Sequence, residues 1–171
     1  MLRNAPIEFS SFNIYTQDES RFGLFKRNGR ALTAKGVKPI CTYQHKFENT
    51  YLFGTFSPIN GANFMMELLY CNAENFQLFL NEFSEQNPSE FKVMVLDNGA
   101  FHKAKSLQIP QNIILIFIPP YSPELNPAEL VWLNIKKKIT NVLHTDLENV
   151  YKILITETFI KSLCAFDYFF N

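Results

Sequence analysis

Two short segments do most to limit how this chain can fold. Phe91-Lys92-Val93-Met94-Val95-Leu96 is apolar except for Lys92 and ends at Asp97, while Ile113–Ile118 is wholly apolar and ends at Pro119-Pro120. Brief apolar runs closed by turn residues read as strands buried on both faces, the habit of central strands in a parallel sheet. Parallel neighbours need a crossover, and residues 100–107 are predicted to supply it as a short helix. Upstream, Phe12, Ile14, Thr16 and Asp18 alternate with Asn13, Tyr15 and Gln17, which predicts a first strand. Residues 21–58 carry turn signals at Asn28-Gly29 and Lys35-Gly36 and β-rich runs at Lys38–Phe47 and Thr50–Phe56. They predict an antiparallel meander closed by Ser57-Pro58-Ile59-Asn60-Gly61. Phe76, Phe79, Leu80 and Phe83 repeat at helical spacing and predict an amphipathic helix over 73–86. Asn126-Pro127-Ala128-Glu129 opens a helix to about Asn141, and Asp146 starts a last one with Leu147, Val150, Tyr151 and Leu154 on one face. The expected fold is α/β: a mixed sheet of three antiparallel strands and then two parallel ones, flanked by helices.

Composition narrows the functional classes. A length of 171 residues suits one domain, and 47% apolar with 19% charged residues excludes a disordered or collagen-like chain. Cys41, Cys71 and Cys164 are too scattered for a disulfide framework or a Cys-x-x-Cys zinc pattern, so free thiols in a reducing compartment are expected. No signal-peptide pattern opens the sequence, and the longest apolar run has six residues, so a cytoplasmic protein with no membrane span is expected. Net charge is zero, yet residues 21–46 hold seven basic groups (Arg21, Lys26, Arg27, Arg30, Lys35, Lys38 and Lys46) and no acid. Residues 47–90 hold six Glu and no Lys or Arg. That asymmetry can make a basic face on a neutral protein, or be an ordinary solvated hairpin.

The acidic residues carry the chemical signal. Asp18 stands within an alternating strand on the face of Phe12 and Ile14, and Asp97 ends a buried strand, where α/β sheets place ligands. If those strands are neighbours, the two carboxylates repel, and either one takes a proton or a cation sits between them. Oxygen donors favour hard divalent cations such as Mg²⁺. Taken singly, each Asp also reads as a turn or cap residue, Asp97-Asn98-Gly99 above all. Glu129 is equally double: with Asn126 as N-cap and Pro127 at the first helical position it fits a capping box, yet it also projects toward the strand ends. No glycine-rich phosphate loop is present, so nucleotide hydrolysis has no support.

Three blocks together resemble a known family. They are Gln17-Asp18-Glu19-Ser20-Arg21-Phe22-Gly23, Leu96-Asp97-Asn98-Gly99-Ala100-Phe101-His102, and Ile118-Pro119-Pro120-Tyr121-Ser122-Pro123-Glu124-Leu125-Asn126-Pro127-Ala128-Glu129-Leu130-Val131-Trp132. They resemble the catalytic domain of DDE transposases of the Tc/mariner-like superfamily, in its bacterial insertion-sequence branch, over about residues 8–145. The resemblance implies a ribonuclease-H-like fold and metal-dependent DNA strand cleavage and strand transfer at insertion-sequence ends. Its catalytic and metal-binding acids fall on Asp18, Asp97 and Glu129. Asp97 and Glu129 are 32 positions apart, a shorter gap than is usual in that branch. Glu124 is the nearby substitute, and Glu129 is preferred because it sits on a rigid helix.

The resemblance further implies two Mg²⁺ or Mn²⁺ ions about 3.5–4 Å apart, with Asp18 bridging and Asp97 and Glu129 each completing one site. Asn98 is the candidate to orient Asp97. His102 is a candidate phosphate contact or a packing residue, and Trp132 is expected in the core. Arg21, Lys26, Arg27, Arg30 and Lys136 are candidate DNA contacts, with Lys26–Lys38 as a backbone track. Partners implied are terminal inverted repeats and target DNA, a nucleoid location, a second copy of the chain, and an upstream-frame product carrying the helix-turn-helix half. That half is expected to be absent here, since only 17 residues precede Asp18. The alternative is a non-catalytic relic or adapted DNA- or protein-binding module of the same fold. The Phe-rich tail Cys164–Phe170 reads as an interface or as core.

Overall fold

The computed structural model describes residues 8–23, 33–38, 49–120 and 122–139. Their strands are β1 (Ser11–Gly23), β2 (Asn49–Phe56), β3 (Asn63–Leu68), β4 (Glu90–Leu96) and β5 (Ile113–Phe117). They form one sheet in the order β3-β2-β1-β4-β5. The pairs β3–β2 and β2–β1 are antiparallel, and β1–β4 and β4–β5 are parallel. Among the described residues two α-helices flank the sheet, α1 (Ala73–Glu85) and α2 (Ala128–Ile139).

The mixed sheet is the expected one, with two corrections in its parts. The third antiparallel strand is Asn63–Leu68, beyond the Ser57–Gly61 turn, so that turn joins β2 to β3 instead of closing the meander. Ser57 N–H donates to Ala62 O at 2.7 Å, and Gly61 turns the chain with φ of +71°, a conformation glycine adopts without steric cost. The segment between β4 and β5 forms only a 3-10 turn, Ala100–Lys103, because the chain goes extended at Ala104. The run 39–47, the basic residues Lys26, Arg27, Arg30 and Lys46, the helix expected from Asp146 and the Phe-rich tail lie outside the described residues.

The phenylalanine spacing of α1 works as anticipated. Phe76, Phe79, Leu80 and Phe83 are all buried, in one core with Tyr15, Phe53, Met94, Leu96 and Ile113. Asn72 Oδ1 accepts the Asn75 N–H at 2.9 Å and caps the helix start. Its other end explains the one charge inside an apolar run. Lys92 is fully buried, and its ammonium donates to Asn87 O at 2.8 Å and Ser84 O at 3.4 Å, at and just beyond the C-terminal end of the helix. Burial lowers the pKa of this amine.

Helix α2 covers the opposite face of β1 and β2. Val131, Trp132 and Ile135 are buried, and the Trp132 ring meets Phe56 at 5.3 Å and Phe22 at 5.9 Å between centroids. Trp132 is therefore core. Gly54 makes its seat: a Cβ there would lie 2.8 Å from both the Trp132 and Phe56 rings. Gly54 is also the cross-strand partner of Asp18. Gly54→Ala should therefore overpack this face and destabilise the chain by about 1–3 kcal/mol, read as a lower urea midpoint. An unchanged midpoint would mean that Trp132 does not rest on Gly54.

Candidate active site

Three separate segments deliver acids to one end of the sheet. The parallel pairing of β1 with β4 ends at Thr16↔Val95, and two residues further along each chain stand Asp18 and Asp97. Asp18 belongs to the alternating set that faces α2, while its neighbour Glu19 faces the side of α1. The start of α2 is tied to this place by Asn126. Its amide donates to Gln17 O at 2.9 Å, and its Oδ1 accepts the Ala128 N–H at 3.1 Å. One side chain thus caps the helix and fastens it to β1, and Glu129 follows three residues on, exposed in the first turn.

Electrostatics confirm the grouping. Burial, then the charges of Glu19, Glu129 and Asp97, push the Asp18 carboxyl up to about 7. The same acids reach Cys71, a half-buried free thiol raised to about 11 by burial and by the charges of Glu19, Asp18 and Asp97. Asp97, like Glu129, is open to solvent, with its side chain 54% exposed. The three expected acids therefore share one neighbourhood. Convergence stops short of a finished site, since no three His, Cys, Asp or Glu side chains among the described residues are close enough to hold an ion. Carboxylates that repel one another have no reason to close further without a cation. The donor set still fits a hard divalent ion: it is all oxygen, and burial, with the neighbouring carboxylate charges, raises the Asp18 carboxyl to about 7.

The surrounding assignments change. Asn98 donates to Ile118 O and accepts from the Lys103 ammonium, so it ties the ends of β4 and β5 together. The partner of Asp97 is His102, whose Nδ1 lies 2.8 Å from Asp97 Oδ1. His102 Nε2 lies 3.0 Å from Glu19 Oε1 on the other side. Burial alone would lower the His102 pKa, but the Glu19 hydrogen bond and the charges of Glu19 and Asp97 outweigh it, and the net shift is upward. At 3% exposure the imidazole does not reach a phosphate. Arg21 is exposed on β1 near Asp18, while the Lys136 ammonium lies 5.7 Å from the centre of the Phe22 ring. Glu19 is the site residue that reading the sequence missed. In an alternating strand it points away from Asp18, and nothing local shows that His102 waits on that side.

The pH dependence has one sign. Asp18 keeps a proton in the folded state that the unfolded carboxyl releases near 3.8, so stability falls as pH rises from about 4 to about 7. His102, also raised, contributes stability below its unfolded value of about 6.5 and loses it as pH passes its folded value. In chelator, the thermal midpoint should fall from pH 4.5 to pH 8, and Asp18→Asn should flatten the part below pH 6. A midpoint that climbs with pH would contradict the acidic cluster.

With this geometry in view, comparison with known proteins is specific. The family model described as DDE superfamily endonuclease matches residues 13–151. An uncharacterized protein of Sinorhizobium fredii (strain NBRC 101917 / NGR234), y4pE/y4sA, is 34% identical over 102 residues, 58% of this chain and 76% of that protein. Among solved structures, the Mos1 transposase paired-end complex with left transposon end superposes with a TM-score of 0.68 at 15% identity, over 91% of this chain and 52% of that one. The mariner Mos1 paired-end complex with Mg gives a TM-score of 0.68 at 17% identity, over 91% and 50%. A simian T-cell lymphotropic virus intasome gives 0.52 at 11% identity, over 86% and 47%. The mixed sheet with flanking helices is thus the ribonuclease-H-like fold, shared with the Mos1 structures, and the chain spans about half the length of the Mos1 chains it matches.

Proposed function

The chain belongs to the DDE superfamily endonucleases, and from that premise we propose that it is the catalytic domain of a transposase that cleaves and joins DNA at the ends of an insertion sequence, with Asp18, Asp97 and Glu129 as its catalytic acids. The observation that carries this reading is the meeting of the three at one sheet end through the Thr16↔Val95 register and the Asn126–Gln17 bond. The charges acting on Asp18 come from Glu19, Glu129 and Asp97, which favours Glu129 over the exposed Glu124 of the Pro123–Leu125 turn. A decayed relic would have no need to keep these acids opposed.

Asp18, Asp97 and Glu129 would hold Mg²⁺ or Mn²⁺, which supplies an activated water and shields the negative charge on the scissile phosphate. Solved Mos1 complexes with Mg and with Mn support that choice of ion. Asp18, acted on by the charges of both other acids, would be the ligand shared with Asp97 and Glu129. Glu129 is held by a helix whose start is fastened to β1, so its distance from Asp18 is set by the Asn126 bond. The exposed flank of Asp97 is where a DNA strand approaches. In strand transfer a DNA 3′-hydroxyl takes the place of the water at the same acids. Arg21 and the basic run from Lys26 to Lys38 are the proposed backbone contacts, weak and salt-sensitive by nature. Transposon ends as substrate follow the Mos1 complex with its left transposon end. A helix-turn-helix partner from an upstream frame would supply sequence choice, and pairing of two copies would follow the paired-end arrangement of that relative.

With Mn²⁺ and supercoiled plasmid, the chain should nick slowly. Asp97→Asn or Glu129→Gln should lower nicking about 10³-fold, as expected for several kcal/mol of lost transition-state stabilisation, with the cooperative thermal transition retained. Glu124→Gln should cut like wild type. Undiminished nicking by Asp97→Asn would leave the non-catalytic module as the better reading, and loss of nicking in Glu124→Gln alone would move the third acid.

A further inference from the structure

The Asp97 side chain is 54% exposed, yet it is firmly held. Two contacts fall on a single oxygen: Oδ1 accepts the Gly99 N–H at 2.8 Å and faces His102 Nδ1 at 2.8 Å. With Oδ1 so engaged, Oδ2 is the oxygen left to take an ion. The imidazole is in turn fixed from every direction. Its ring packs against Phe101 and Phe76, with centroids 4.1 and 4.6 Å away. Its far nitrogen lies 3.0 Å from Glu19 Oε1, and Glu19 is itself held by the Gln17 amide at 2.5 Å. Gly99 makes room for the arrangement, since a Cβ there would lie 2.9 Å from His102 Nδ1 and 3.1 Å from Asp97 Oδ1.

A ring that served packing alone would better be apolar, because burying polar nitrogens is costly unless each is paired. Here both nitrogens are paired, one to a proposed ligand and one to a carboxylate on the opposite face of β1. Partners of this kind orient a ligating group and raise its affinity for the ion. We propose that His102, backed by Glu19, is the positioning residue that fixes the Asp97 carboxylate toward its ion. The clamp rests on the function proposed above and adds to it residues outside the three acids.

The test uses Mn²⁺ alone as probe, with free ion followed by electron paramagnetic resonance in titrations of the full chain at one pH. His102→Asn places an amide nitrogen near the Nδ1 position and keeps a donor for Asp97. His102→Gln reaches toward the Nε2 position and gives that donor up. His102→Gln should weaken Mn²⁺ binding by about tenfold or more, and His102→Asn by less than about threefold. Equal weakening by the two, or wild-type affinity in His102→Gln, would overturn the clamp. Should the ring substitutions lower the metal-free thermal midpoint, Glu19→Gln decides, as it conserves shape and leaves Asp97 and the ring in place. Its expected effect is a several-fold weaker affinity with the cooperative thermal transition retained, and wild-type affinity there would overturn the role of Glu19. Wild type that bound no Mn²⁺, or Asp97→Asn that bound it as wild type does, would instead remove the proposed site and the clamp with it.

Discussion

The parallel pairing of β1 with β4 is the constraint on which the rest of the site depends. Because the ladder runs to Thr16↔Val95, the next outward-turning positions of both strands are aspartates, side by side at the sheet end. No loop has to fold correctly to bring them there. Pairing a strand from the start of the chain with one from its middle needs the intervening β2, β3 and α1 to be in place. The Phe-rich face of α1 supplies the burial that holds β4 in register. The like charges so assembled are costly, and the chain tolerates them through an upward-shifted Asp18 and a histidine wedged between two others.

The second constraint is the Asn126 bond to Gln17, which joins two stretches 109 residues apart in sequence. A helix whose first turn is anchored by its own cap residue cannot slide along the sheet without losing both bonds. Glu129 inherits that fixed position. Trp132, one turn further, seats on Gly54 directly across from Asp18. The apolar and the acidic ends of α2 are thus located by the same stretch of β1 and β2, which couples packing to the placement of the third acid.

Much of this was legible in the sequence, and the exceptions have physical reasons. The helix at 73–85 showed in the spacing of four apolar residues, since periodicity survives without tertiary information. The central strands showed in runs too short and too apolar to be surface elements. β3 did not, because Asn63-Phe64-Met65-Met66-Glu67-Leu68 is largely half-buried and lacks a clean alternation. Lys92, the one charged residue of an otherwise apolar run, places its ammonium on carbonyls at the end of α1, contacts made only when β4 packs beneath the helix end. The acids Asp18, Asp97 and Glu129 were named from motif resemblance, whereas Glu19 and His102 are joined across 83 residues of sequence, so no local pattern could pair them. Asn98, the residue next to Asp97 in sequence, was the natural guess for its partner. The 3-10 turn carries His102 back to Asp97 and leaves Asn98 facing β5.

The central claim is that three acids from β1, the end of β4 and the start of α2 form one ion site. The measurement that meets it most directly is a crystal structure of the chain soaked in Mn²⁺, with the ion located by its anomalous scattering. Peaks bounded by the carboxylates of Asp18, Asp97 and Glu129 are the expected result, with the acids drawn closer than in the metal-free chain. Mn²⁺ bound at Glu124, or at any group that excludes Asp18, would contradict it.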